Sequence, residues 1–219
     1  MLQSYSPTRR TVLSLSLAAV LTANMGSAFV SQAFAQTPPA AAVRMRGTIL
    51  SLTPSTMTVK DRSGEVVELV ISDKLVVSEV FPIRLEDIKP GSYIGTAAMP
   101  QADGSQRAIA VSVFPEAARG LGEGHRPFDL LPQSTMTNAT VSDVGAIADT
   151  PTGRKLVLKY KDGEKIVIVP ADAPVVTSRP GDRNLLVVGA SVSLFAQVMD
   201  GKPTVMRINA GRNGFALPY

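Results

Sequence analysis

The chain's one histidine, His125, lies in the run Gly122-Glu123-Gly124-His125-Arg126-Pro127, with Asp129 just beyond it and Arg119 just before. An imidazole beside carboxylates is a donor set for zinc or another divalent cation, so His125, Glu123 and Asp129 form a candidate metal site. The plainer reading is a histidine hydrogen-bonded to a neighbouring carboxylate, because one imidazole without cysteine falls short of the usual zinc ligand sets. Arg119 and Arg126 add two guanidinium groups suited to an anion. Arg119, Glu123, His125, Arg126 and Asp129 are therefore the candidate ligand-binding residues, and no residue is assigned to catalysis. Ser134, Thr135 and Thr137 are the hydroxyls nearest in sequence for a histidine base to activate, but no Gly-x-Ser-x-Gly elbow accompanies them. Gly120, Gly122 and Gly124 lack the lysine and hydroxyl pair of a phosphate loop and read as turn residues. The chain has no cysteine, which excludes thiolate metal ligands, cysteine nucleophiles and disulfides. No cofactor is expected.

These residues belong to a segment, 115–138, whose glycines, prolines and missing periodicity predict irregular structure. So long a connection inside a compact protein is functional or disordered as a rule, and Phe128, Leu130 and Leu131 argue for a packed strap. Its charges either line a site or are simply solvated. The segment separates two stretches that resemble each other. Val43, Gly47 and Ile49 recur as Val141, Gly145 and Ile147 about 98 residues later, and Gly64, Gly91 and Asp103-Gly104 recur as Gly163, Gly189 and Asp200-Gly201 at nearly the same offset. Within each copy the pattern is β. Ile109, Val111 and Val113 alternate with small or polar residues, and Gly64, Gly163 and the two Asp-Gly pairs mark hairpin turns.

Strands are predicted near 43–52, 56–61, 65–72, 91–99 and 105–114, and again near 139–149, 155–160, 164–170, 189–198 and 203–210. Five strands per copy, with a short helical stretch at 82–90 carrying Leu85 and Ile88, predict an all-β protein of two tandem OB-like small β-barrels. A sandwich of both copies is the alternative. The first barrel then spans 43–114, the connecting segment 115–138, the second barrel 139–211, and an exposed tail 212–219.

Before the repeats, Arg9 and Arg10 precede an uncharged, largely apolar run from Val12 to Val30 and the small-x-small site Ala33-Phe34-Ala35. This order predicts a signal peptide over 1–35, a mature chain starting at Gln36 with a disordered lead-in at 36–42, and a periplasmic or secreted location. Thr8-Arg9-Arg10-Thr11-Val12-Leu13 fits twin-arginine export, although two arginines also suit the general route. Removing this segment takes away two arginines and no acids, so the formal charge of +4 falls by two. A polyanion-binding role gains nothing from that balance. The mature chain also has no tryptophan, and Tyr93, Phe114, Tyr160 and Phe195 are too scattered for a base-stacking platform, so no nucleic-acid partner is expected. No later apolar run reaches the length of a spanning helix. Phe215 and Tyr219 end the chain aromatically, but the strands are too short for an outer-membrane barrel.

The stretches Leu85-Glu86-Asp87-Ile88-Lys89-Pro90-Gly91, Ala97-Ala98-Met99-Pro100-Gln101, Gly122-Glu123-Gly124-His125-Arg126-Pro127 and Ser134-Thr135-Met136-Thr137-Asn138-Ala139-Thr140 resemble a bacterial family of exported OB-like proteins of unknown function. The resemblance covers most of the mature chain and implies export and a small-barrel architecture, with no catalytic residues to transfer. Members are sometimes labelled metal transporter permeases, but a permease needs several spanning helices. The sequence thus reads as an exported, non-enzymatic binding or structural protein of the cell envelope, whose partner is an envelope protein, a wall component or a small ligand. The alternative is a periplasmic metal-binding protein using His125 and nearby carboxylates.

Overall fold

Seventeen consecutive residues, Val66–Pro82, run without a glycine and with proline only at the end, and they form one unbroken strand. That strand decides the topology. The computed structural model describes residues 42–143, 149–150 and 153–219. The predicted signal peptide, the lead-in up to residue 41, and Gly145 and Ile147 lie outside the described residues. The strands in chain order are β1 (Ala42–Leu52), β2 (Thr56–Asp61), β3 (Val66–Pro82), β4 (Tyr93–Pro100), β5 (Gln106–Val113), β6 (Gly124–Pro127), β7 (Thr135–Asp143), β8 (Asp149–Thr150), β9 (Gly153–Tyr160), β10 (Gly163–Val169), β11 (Val175–Pro180), β12 (Ser191–Met199) and β13 (Lys202–Gly211). The fold is all-β, as the alternation in the sequence predicts.

A closed five-stranded barrel forms from β1, β2, β3, β13 and β12, each paired with the next and β12 returning to β1. Ile49, Met57, Val59, Leu69, Leu194, Val205 and Ile208 fill its interior. The remaining long strands make a second ring, β4, β5, β10, β9 and β7, closed by a short parallel contact of Val167 and Ile168 with Gln106 and Arg107. Its core holds Ile94, Val111, Val141, Leu156, Leu158 and Val167.

This assignment corrects the boundaries expected from the sequence: neither 43–114 nor 139–211 encloses a barrel. Each barrel takes three strands from one half of the chain and two from the other. The cause lies in β3, which continues past Ile71 through Ser72-Asp73-Lys74 with nothing to turn it back, so β4 and β5 are delivered to the other barrel. The chain returns through β10, an interruption bounded by Pro170 and Pro174, and β11. The two crossing strands, β3 and β11, pair antiparallel with Arg179 opposite Glu79. Glu79 is only 3% exposed. Its carboxylate accepts hydrogen bonds from Arg212 (2.9 Å, twice) and Arg179 (3.1 and 3.2 Å). Those bonds, Arg212 first, hold its pKa down to about 2. A buried charge is tolerated here because it is fully paired.

The barrels share local devices. Ile49 donates its N–H to Ala190 O and accepts from Gly189 N; Val141 does the same with Ser92 O and Gly91 N. Gly91 and Gly189 take φ of +79° and +87°, a conformation that favours glycine. Ile49 stands opposite Val59 as Val141 stands opposite Leu158, so Ile49 and Val141 hold equivalent places in their rings, while the offset match of Ile49 to Ile147 lies outside the described residues. The expected face of Ile109, Val111 and Val113 is also corrected. A β-bulge between Ala97 and Ala98 leaves Ile109 without a partner, so the core is lined by Ala108, Val111 and Val113. The matching bulge between Phe195 and Ala196 does the same in β12–β13.

Three smaller expectations change as well. The stretch 82–90 holds only a 3-10 turn, Leu85–Asp87, followed by buried Ile88. The tail expected to be exposed is docked: Leu217 is buried and its N–H donates to Ser191 Oγ, while burial pushes the Tyr219 phenol up to about 12. The connecting segment contains a strand, β6, paired antiparallel with β7. No helix among the described residues is long and apolar enough to cross a membrane.

Candidate functional site

The strap begins with Arg119, whose guanidinium donates to both Glu116 carboxylate oxygens, to Gly91 O (2.8 Å) and to Thr140 Oγ1 (3.3 Å). It also lies 5.9 Å from the Tyr93 ring centroid. Arg119 thus clamps the strap to β4 and β7. The chain then turns through Gly120 and Gly122 (φ +82° and +59°), and Leu121 O accepts from Tyr93 Oη and Asn138 Nδ2. At the other end Asp129 takes both Arg46 guanidinium nitrogens, at 2.8 and 3.0 Å, and the same guanidinium lies 4.9 Å from the Phe128 ring centroid. Arg46 belongs to the first barrel, so the strap is tied to both. Phe128 and Leu130 are half-buried, whereas Leu131, expected as an anchor, is 49% exposed.

Between these ties lie the remaining candidates, Glu123 just before β6 and His125 and Arg126 within it. Glu123 Oε1 accepts the Lys161 N–H at 3.0 Å, which pins the strap to the β9–β10 turn. Arg126 donates to Gly122 O at 2.7 Å. His125 faces Thr137 across the β6–β7 ladder, with Nδ1 and Oγ1 2.8 Å apart. Burial first, and repulsion from Lys165 second, lower the pKa of His125 below its ordinary 6.5. The imidazole is therefore neutral at pH 7.

Glu123, His125 and Arg126 open onto a cavity of about 480 Å³ whose far wall is Tyr160, Asp162 and Lys165. Three of the five sequence candidates converge there; Arg119 and Asp129 do not, their charges being spent on Glu116 and Arg46. Tyr160, Asp162 and Lys165 gave no sequence signal as site residues, because they reach the cavity only through the β9–β10 hairpin. Thr137 sets a hydroxyl next to the His125 imidazole, but it is fully buried and is not among the residues lining the cavity. Ser134 is likewise buried, bonded to Phe128 O, Leu131 O and Leu131 N.

Among the described residues no three His, Asp or Glu side chains gather as a ligand set. The alternative metal set of His125, Glu123 and Asp129 is not brought together: Asp129 is held by Arg46 at the other end of the strap, and Glu123 accepts the Lys161 N–H. No protein-family model, no characterised protein and no solved structure matches the chain.

Proposed function

We propose that this is an exported binding protein of the cell envelope, periplasmic or secreted, that holds a small polar ligand without transforming it. The observation that carries this reading is the convergence of Glu123, His125 and Arg126 with Tyr160, Asp162 and Lys165 around one open cavity. Glu123 and Arg126 from the strap and Asp162 and Lys165 from the hairpin, with the Tyr160 ring beside them, suit a ligand bearing both signs of charge. Each strap residue is fixed by a bond outside the cavity, which is the preorganisation a binding site needs. The signal-like start of the chain, with cleavage after Ala35, supports export, and its twin-arginine form fits a protein exported folded.

The architecture behind the site is an internal duplication of an OB-like unit whose copies exchange their last two strands. The shared bulges and the paired Gly91 and Gly189 bonds support it. The test of function is a spectrum: with an envelope extract of the producing cell added to the mature protein, backbone amide signals of 123–126 and 160–165 should move, and Lys165→Ala should suppress the change. Shifts confined to other surfaces would overturn the assignment.

A further inference from the structure

The two barrels differ at one edge. In the second, the first half of β7 extends beyond the end of β9, and β6 fills the space by pairing Gly124, His125, Arg126 and Pro127 with Asn138, Thr137, Met136 and Thr135. In the first, β1 extends beyond β2 in the same way, and among the described residues no strand covers it on that side. Matching Ile49 to Val141 by their identical bonds makes Val43–Arg46 the counterparts of Thr135–Asn138. Antiparallel strands aim successive residues' backbone groups to alternate sides. Ile49 bonds toward β12, so Met45 and Val43 do too, while Arg46 and Arg44 point to the open side. Arg46 O already accepts Arg62 N–H, which leaves the N–H and C=O of Arg44 as the open pair.

The side chains around this edge say what fits. Arg44, Lys60 and Arg62 are exposed and make no ion pair among the described residues; Asp129 is paired with Arg46 and feels Arg44 only as a weaker, more distant charge. The neighbouring carboxylate of Asp61 is turned into its own hairpin, accepting from Ser63 Oγ and Glu65 N. On the inner side Val43 and Met45 are only half-buried against the core. We propose that the edge at Arg44 receives an extended acidic peptide segment of a partner protein as an added strand. Its main chain pairs with Arg44, its acidic side chains face Arg44, Lys60 and Arg62, and the apolar residue between them covers Met45. The template is the molecule's own β6, which pairs His125 with Thr137 and Arg126 with Met136 at the corresponding positions of the other barrel.

The experiment uses a short capped peptide alternating glutamate with leucine, titrated into the mature protein at low salt while amide exchange is followed residue by residue. Binding should slow exchange at the Arg44 amide, and replacing the peptide's glutamates with lysines should abolish it. Arg44→Pro removes the edge N–H without touching a bond to β12, so it should keep the parent's melting temperature and weaken binding at least about tenfold. If that variant does not fold, a peptide N-methylated on its pairing amides must lose binding to the parent protein to the same degree. Absence of binding, equal binding of the lysine peptide, or undiminished binding to Arg44→Pro would overturn the proposal. An Arg44 amide already protected without peptide, with dimers in sedimentation, would overturn it in favour of a second copy of the chain.

Discussion

Arg46 of β1 and Asp129 of the strap form a two-point ion pair, with Phe128 beneath the same guanidinium. One residue of the first barrel thereby holds the far end of a strap whose middle lines a cavity on the second. Asp129 is largely exposed, so the pair itself contributes only about 0.5–1 kcal/mol to stability.

Arg46→Ala should therefore lower global stability by about 1 kcal/mol while loosening the strap much more. Hydrogen exchange would show it: amides from 124 to 134 should exchange faster, with those of β4 and β5 unchanged. Equal loosening of β4 would mean that the pair supports the barrel and not the strap.

Because each ring takes strands from both halves of the chain, the two cores should unfold as one cooperative unit. Ile49→Ala, at a fully buried site in the first barrel, should cost about 2–5 kcal/mol and shift a single unfolding transition seen by all probes. Two transitions, only one of them moved, would contradict the shared strands.

Glu79 sets an acid limb. Its pKa of about 2 in the folded chain lies below the 4.5 of an unpaired glutamate, so its contribution is complete above pH 4.5 and is lost as pH falls from there toward 2. Glu79→Gln should be less stable than the parent at neutral pH, and the difference should shrink through that window. A constant difference down to pH 2 would show that Arg179 and Arg212 do not act on Glu79 as charges.

Strand positions were largely legible in the sequence: β2, β4 and β12 fall within two residues of their expected limits, because alternation and turn glycines report local structure directly. Pairing was not. The recurring residues noted in the sequence liken β5 to β13, but which ring each joins depends on the continuity of β3 across Ser72-Asp73-Lys74. β6 was hidden for a different reason. Gly124-His125-Arg126-Pro127 has no β pattern of its own, and it becomes a strand only because β7 presents an uncovered edge. Of the residues lining the candidate cavity, Glu123, His125 and Arg126 were legible in the sequence, and Tyr160, Asp162 and Lys165 were not, because the hairpin of Lys161-Asp162-Gly163 brings them in from a distant part of the chain.

The single histidine is a reporter of the cavity. Its pKa lies below 6.5 through burial and Lys165, so the neutral form is favoured on folding, and the stability this gives is present above 6.5 and declines as pH falls through the folded value. Lys165→Ala should raise the His125 pKa in an NMR titration without bringing it above 6.5, since burial remains. No change would place Lys165 away from the imidazole.

The central claim, that the strap-walled cavity is where the protein meets its ligand, is tested most directly by a photo-crosslinking residue placed at Asp162 in cells, with Lys74 on the outer course of β3 as the control position. We expect a defined adduct at 162 that Lys165→Ala removes, and none at 74. Adducts of the same identity at both positions, or an adduct at 162 indifferent to Lys165→Ala, would contradict the account.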